Sequence, residues 1–130
     1  MNAYYCSYPC FADVYHIFSQ NMERTGQPIC LMLCTLVDYE GKVIQNSEKR
    51  KARSEYLKQA IGQSLRRGDA YTRYSCSQYL ILLVGISQED CVMIYRRIHR
   101  KFRELAGPRA EFSYYVTSLE ELPEEQEKEE

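Results

Sequence analysis

Hydrophobic residues along this chain keep a helical period in three places and an extended rhythm between them. Phe11, Val14, Tyr15, Phe18 and Met22 fall at relative positions 0, 3, 4, 7 and 11, one stripe of an amphipathic helix. Gly26-Gln27-Pro28 stops it. From Ile29 to Val37 (ICLMLCTLV) the chain is apolar apart from Thr35 and bounded by turn signals, so it reads as a central strand buried on both faces. Asp38 to Asn46, containing Gly41, reads as a loop or short hairpin. A second helix is predicted from Ser47 to Arg67, with Leu57, Ile61 and Leu65 on its buried face and Gly68 at its end. Ala70 to Tyr74 and Gln78 to Val84 then flank a three-residue turn, Ser75-Cys76-Ser77, which spells a β-hairpin. Ser87-x-x-Asp90 is a capping signature ahead of a third helix, whose stripe is Cys91, Ile94, Tyr95, Ile98, Phe102 and Leu105. Gly107-Pro108 closes that helix, and Phe112 to Thr117 alternates as a last strand. The order α-β-α-ββ-α-β contains β-α-β-β-α-β. That is the ferredoxin-like α+β arrangement, an antiparallel sheet with helices on one face, here with an extra N-terminal helix.

Composition narrows the class. One hundred and thirty residues with 45% hydrophobic and 27% charged side chains supply one core and too little chain for two. The net charge of −1 advertises neither a nucleic acid nor an anionic membrane as partner. The longest apolar run is about half of what a bilayer needs, and no secretory signal is read at the N-terminus, so no membrane is expected and the cytoplasm is the expected location. Six cysteines occur without a C-x-x-C pair, with His16 and His99 as the only histidine companions. They read as reduced thiols, with no metal and no cofactor expected. Residues 119–130 hold seven Glu against one Lys and are expected to be a disordered acidic tail, which leaves 16 basic and 11 acidic residues in the rest. Basic clusters at Lys49–Arg53 and Arg96–Arg103 sit on predicted helices, where a charge run ordinarily marks a solvated face.

One local register carries a resemblance. Arg66-x-x-Asp69, five residues ending in Arg73-Tyr74, the pentapeptide Ser75-Cys76-Ser77-Gln78-Tyr79 and the apolar run Leu80 to Leu83 follow one another. The stretch resembles a degenerate GGDEF domain over residues 28–118, with 1–27 as a helix leading into it. In that family the pentapeptide is the G-G-[DE]-E-F signature of an enzyme that condenses two GTP into cyclic di-GMP on two Mg²⁺. The resemblance implies that a first-strand carboxylate and an acidic residue in the hairpin hold those ions. Thr35 aligns with the first position, Ser75 and Cys76 with the glycines, and Ser77 and Gln78 with the acidic pair. Where the family has its N-x-x-x-G-H-x-x-G-D stretch, this chain has the basic QNSEKRKARS, with Asp38 the remaining nearby carboxylate. The expectation is therefore a domain without cyclase activity.

Arg66 and Asp69 match the family's product-binding R-x-x-D pair, which implies a nucleotide receptor; equally, Asp69 is placed to accept backbone N–H groups at a helix-to-strand turn. The hairpin R-Y-S-x-S-Q-Y-L and residues 3–37 are similar to the C-terminal module of bacterial regulators that join a winged-helix DNA-binding domain to a helical-repeat activator domain. The partners this implies are a cyclic dinucleotide, those other domains of the same full-length protein, and a second copy in a homodimer. The alternative is a ferredoxin-like nucleic-acid-binding module stacking bases on Tyr71, Tyr74, Tyr79, Tyr114 and Tyr115. It is disfavoured, because half-buried strand tyrosines ordinarily pack. An active cyclase comes last.

Overall fold

The computed structural model describes residues 3–118, and of Met22, Glu23 and Ser118 the backbone alone. The expected acidic tail and the Met22 side chain lie outside the described residues. The elements are β1 (Tyr4–Tyr5), α1 (Tyr8–Thr25), β2 (Ile29–Val37), α2 (Ser47–Ser64), β3 (Ala70–Ser75), β4 (Gln78–Val84), α3 (Cys91–Ala106) and β5 (Glu111–Ser118). They build one five-stranded sheet in the order β1-β3-β4-β2-β5. Every neighbouring pair is antiparallel except β1 and β3. The expected β-α-β-β-α-β core is present, with β2 paired to β4 on one side and to β5 on the other.

Strand alternation sorts the apolar residues onto two faces. Cys30, Met32, Cys34, Leu36, Tyr71, Tyr79, Ile81, Leu83 and Phe112 meet Leu57, Ile61 and Leu65 of the α2 segment and Ile94, Ile98 and Phe102 of α3. Ile29, Leu31, Ala70, Leu80 and Leu82 face the other way, onto Phe11 and Tyr15 of α1. The sheet is thus covered on both faces, whereas the ferredoxin-like pattern places helices on one. The stripe on α1 announced an amphipathic helix and left its docking face open. Cover by α1 is partial: Leu33, Thr35 and Val37 at the far end of β2 are only half-buried.

Three boundaries depart from the sequence expectation. Helix α2 begins where predicted, with Asn46 Oδ1 accepting the Lys49 N–H at 2.9 Å. It ends at Ser64 instead of Arg67, because Leu65 turns extended and Arg66 is drawn into contacts with Asp69. The hairpin turn is the two residues Cys76 and Ser77, since Ser75 pairs with Gln78 across it and a bulge between Arg73 and Ser75 absorbs the extra residue. Ser87 hydrogen-bonds the Asp90 carboxylate at 3.2 Å ahead of a short 3₁₀ turn, Gln88–Asp90, and neither side chain caps the backbone.

All six cysteines are free thiols. Burial pushes the thiols of Cys30, Cys34 and Cys91 up, that of Cys91 to about 12, so they stay protonated and pack as small hydrophobes. Among the described residues no helix is long and apolar enough to cross a membrane.

One glycine sets the spacing of α2 over the sheet. A Cβ at Gly62 would lie 2.5 Å from Tyr71 Oη and 3.4 Å from its Cζ. Gly62→Ala is expected to destabilise the domain by about 1–3 kcal/mol in urea unfolding, despite alanine's better helix propensity. Adding Tyr71→Phe, which removes the clashing oxygen, is expected to restore most of the loss.

Candidate functional site

The signature hairpin is held by neutral hydrogen bonds. Because β2 and β4 pair with Thr35 opposite Gln78, the two side chains emerge side by side. Gln78 Nε2 donates to Thr35 Oγ1 at 3.1 Å, and Gln78 Oε1 accepts from Ser75 Oγ at 2.9 Å. The Leu36 N–H donates to the Ser77 carbonyl at 2.8 Å, tying the turn to β2. The Arg73 guanidinium reaches the Ser75 and Cys76 carbonyls at 3.3 and 3.5 Å. Tyr79, the last residue of the pentapeptide, is 1% exposed, and its hydroxyl donates to the Ser54 carbonyl at 3.0 Å. Burial pushes that phenol up to about 12.

This donor set does not fit a pair of magnesium ions. Divalent magnesium takes hard, charged oxygens in octahedral geometry, whereas Thr35 and Gln78 offer an alcohol and an amide already bound to each other. Asp38 is committed to its own turn: its Oδ1 accepts the N–H groups of Glu40 and Lys42, each at 2.9 Å. Those bonds, that from Lys42 first, hold its carboxyl below the usual carboxylate range. Among the described residues no three His, Cys, Asp or Glu side chains gather as a metal-binding group.

Arg66 and Asp69 lie together at the opposite end of β3. Asp69 is 1% exposed, and its carboxylate accepts the Arg66 N–H and the Val84 N–H, each at 3.1 Å. The Arg66 guanidinium, 52% exposed, lies 3.4 Å from Asp69 Oδ2 and also donates to the Val84 carbonyl. Asp69 further bonds its own backbone N–H to the Arg66 carbonyl at 3.1 Å and its carbonyl to the Tyr4 N–H at 3.0 Å. The pair therefore brackets four pieces of chain: the exit of α2, the start of β3, the end of β4 and β1. Arg66-x-x-Asp69 was legible as a pair; its bond to Val84, fifteen residues away, was not.

The basic clusters divide between solvent and structure. Arg97 Nη1 donates to the Ser64 carbonyl at 3.0 Å, supplying a partner to the end of α2, and Arg103 reaches the Ala110 carbonyl and Glu111. Lys49 and Arg53 line an open groove of about 350 Å³ with Asp38, Tyr39, Glu40 and Arg109, whose guanidinium lies 4.9 Å from the Tyr39 ring centre. Arg109 stands 56 residues from Arg53, and the sequence reading missed it as a member of this group. Of the strand tyrosines, Tyr71 and Tyr79 are buried and Tyr74 packs at a tilt against Tyr8 with ring centres 5.5 Å apart. Tyr114 stacks on Tyr95 at 4.3 Å, and Tyr115 is 68% exposed. They form no continuous platform for bases.

No family model and no curated protein matches the sequence. The structure, in contrast, is similar to the crystal structure of a DGC protein from Thermotoga maritima, with a TM-score of 0.69 over 89% of this chain and 81% of that one. At 18% sequence identity the likeness is one of fold: this chain has a diguanylate-cyclase-like α+β fold.

The bracket separates its two members by consequence. Asp69→Ala strands two backbone N–H groups and is expected to cost about 2–4 kcal/mol in chemical denaturation. Arg66→Ala, on a half-exposed side chain, is expected to cost about 1 kcal/mol or less.

Proposed function

We propose that this chain is a catalytically silent diguanylate-cyclase-like domain, acting as a regulatory module of a bacterial transcriptional regulator. The observation that carries the reading is the Gln78–Thr35 hydrogen bond at 3.1 Å, a neutral clasp at the two positions where the resemblance requires carboxylates. Condensing two GTP molecules places developing negative charge on phosphoryl oxygens, and metal ions are what neutralise it. A hairpin that turns an amide and an alcohol toward each other supplies no anionic ligand for those ions. The bulge and the Ser75, Cys76 pair put side chains where the family's glycines leave space for a triphosphate.

The regulatory role rests on protein contacts with the DNA-binding and activator domains of the same full-length protein. Sensing of cyclic di-GMP through Arg66 and Asp69 is the weaker form of the reading. A guanine would have to displace the two backbone N–H groups whose bonds the buried Asp69 carboxylate already accepts. Such an exchange leaves those donors unpaired, at a cost comparable to what the new bonds return.

Incubation of the purified chain with GTP and Mg²⁺ or Mn²⁺, followed by chromatography of nucleotides, is expected to leave GTP unchanged; accumulation of cyclic di-GMP overturns the reading. In calorimetry, cyclic di-GMP is expected to give no binding heat with the wild type. A saturable isotherm that Arg66→Ala abolishes would instead establish the nucleotide-sensing form.

A further inference from the structure

Three cations are gathered by the fold from distant parts of the chain. Lys49 and Arg53 stand one turn apart at the start of α2, and Arg109 lies in the turn between α3 and β5, yet all three line one groove of about 350 Å³. Among the described residues none of these side chains makes a hydrogen bond or an ion pair, although the Asp38 and Glu40 carboxylates line the same groove. Other arginines nearby are engaged: Arg50 donates to the Ile44 carbonyl at 3.4 Å and Arg103 to that of Ala110 at 3.1 Å. Like charges one turn apart on a helix repel, so the spacing of Lys49 and Arg53 opposes the helix instead of supporting it.

The wall that faces these cations is a tight turn closed by Asp38. Its N–H donates to the Lys42 carbonyl at 2.7 Å, and its carbonyl accepts the Gly41 N–H at 2.9 Å. Gly41, with φ +87°, supplies the left-handed residue that this turn requires. Tyr39 is carried on the turn and is 55% exposed, with the Arg109 guanidinium over its ring. Such a contact restricts the guanidinium while its N–H edge stays available to an anion. The Asp38 carboxyl, held below its usual range first by the Lys42 N–H, also feels the Lys49 ammonium. Lys49 thus has a carboxylate at longer range, and the two guanidinium groups are left over.

We propose that this groove binds a small phosphomonoester, with Arg53 and Arg109 donating to the phosphate oxygens and the Tyr39 ring against the organic part. Such a phosphate carries about −1.5 to −2 charges near neutral pH, which two guanidinium groups match. Their N–H forks each suit two oxygens of one phosphate. The volume is that of a pocket for a small molecule. A phosphodiester carries less charge, and a metal-chelated phosphate would set its ion against the same cations. Arg109 brings the groove to the β5 flank of β2, where Val37 pairs with Glu111, whereas the hairpin lies on the β4 flank. No hairpin residue takes part, so the proposal is independent of the catalytic reading.

Titration of the isotope-labelled full chain with inorganic phosphate and with phenyl phosphate, in EDTA and followed by amide NMR shifts, tests it. Both probes are expected to give saturable shifts centred on residues 38–42, 49–53 and 109, with phenyl phosphate the tighter; chloride at the same ionic strength is expected to give none. Arg53→Ala and Arg109→Ala are each expected to weaken binding about tenfold, the remaining amide signals showing that the fold is kept. Arg96→Ala, which removes the same charge from an exposed position on α3, is expected to change nothing. The proposal is overturned if neither probe gives saturable shifts, if the shifts centre elsewhere, or if phenyl phosphate binds no better than the free ion. It is equally overturned if Arg96→Ala weakens binding as much as Arg109→Ala.

Discussion

The pairing of β2 in the middle of the sheet is the constraint on which the rest depends. Like β4, this strand has ladders on both sides, and its two faces supply both cores. A slip of one residue would exchange Met32 and Cys34 for Leu31 and Leu33 beneath α2 and α3, and turn every other side chain to the wrong layer. The same register sets Thr35 against Gln78. The chemistry of the hairpin is thus fixed by packing farther along the strand, and a neutral pair there is as firmly positioned as a catalytic pair would be.

Asp69 does at the other end of β3 what Gln78 does at the hairpin. It is a buried carboxylate whose bonds are made within the fold, to Arg66, to Val84 and through its backbone to Tyr4. Those bonds end α2 and hold β1 beside β3. An R-x-x-D spelling is compatible with a ligand site, yet here the carboxylate accepts from two backbone N–H groups and from the Arg66 guanidinium. Both ends of β3 have a signature spacing, and both are closed by internal hydrogen bonds.

Much of this was legible in the sequence. The apolar run Ile29–Val37, the stripe Ile94, Ile98 and Phe102, and the hairpin around Ser75 to Gln78 follow from period and turn chemistry, and the order of elements gave the fold class. What escaped was set by tertiary contact. Two residues, Tyr4 and Tyr5, are too few to show a period. The end of α2 depends on an acceptor that also binds Val84. The face on which α1 docks is not written in its stripe. At the site, the identities of Thr35 and Gln78 were visible, and their contact across 43 positions needed the register of β2 against β4. Arg109 joins Lys49 and Arg53 by the same long-range route.

The proposed function turns on the neutral pair at the Thr35–Gln78 end of the β2–β4 ladder, which offers no anionic ligand for paired divalent ions. Titration of Mn²⁺ in the presence of GTP, followed by the relaxation of water protons, reads this most directly. The account predicts the same relaxation as for free Mn²⁺–GTP, for the wild type and for Gln78→Leu alike. A stoichiometric, saturable enhancement in the wild type that Gln78→Leu or Thr35→Val removes would contradict it.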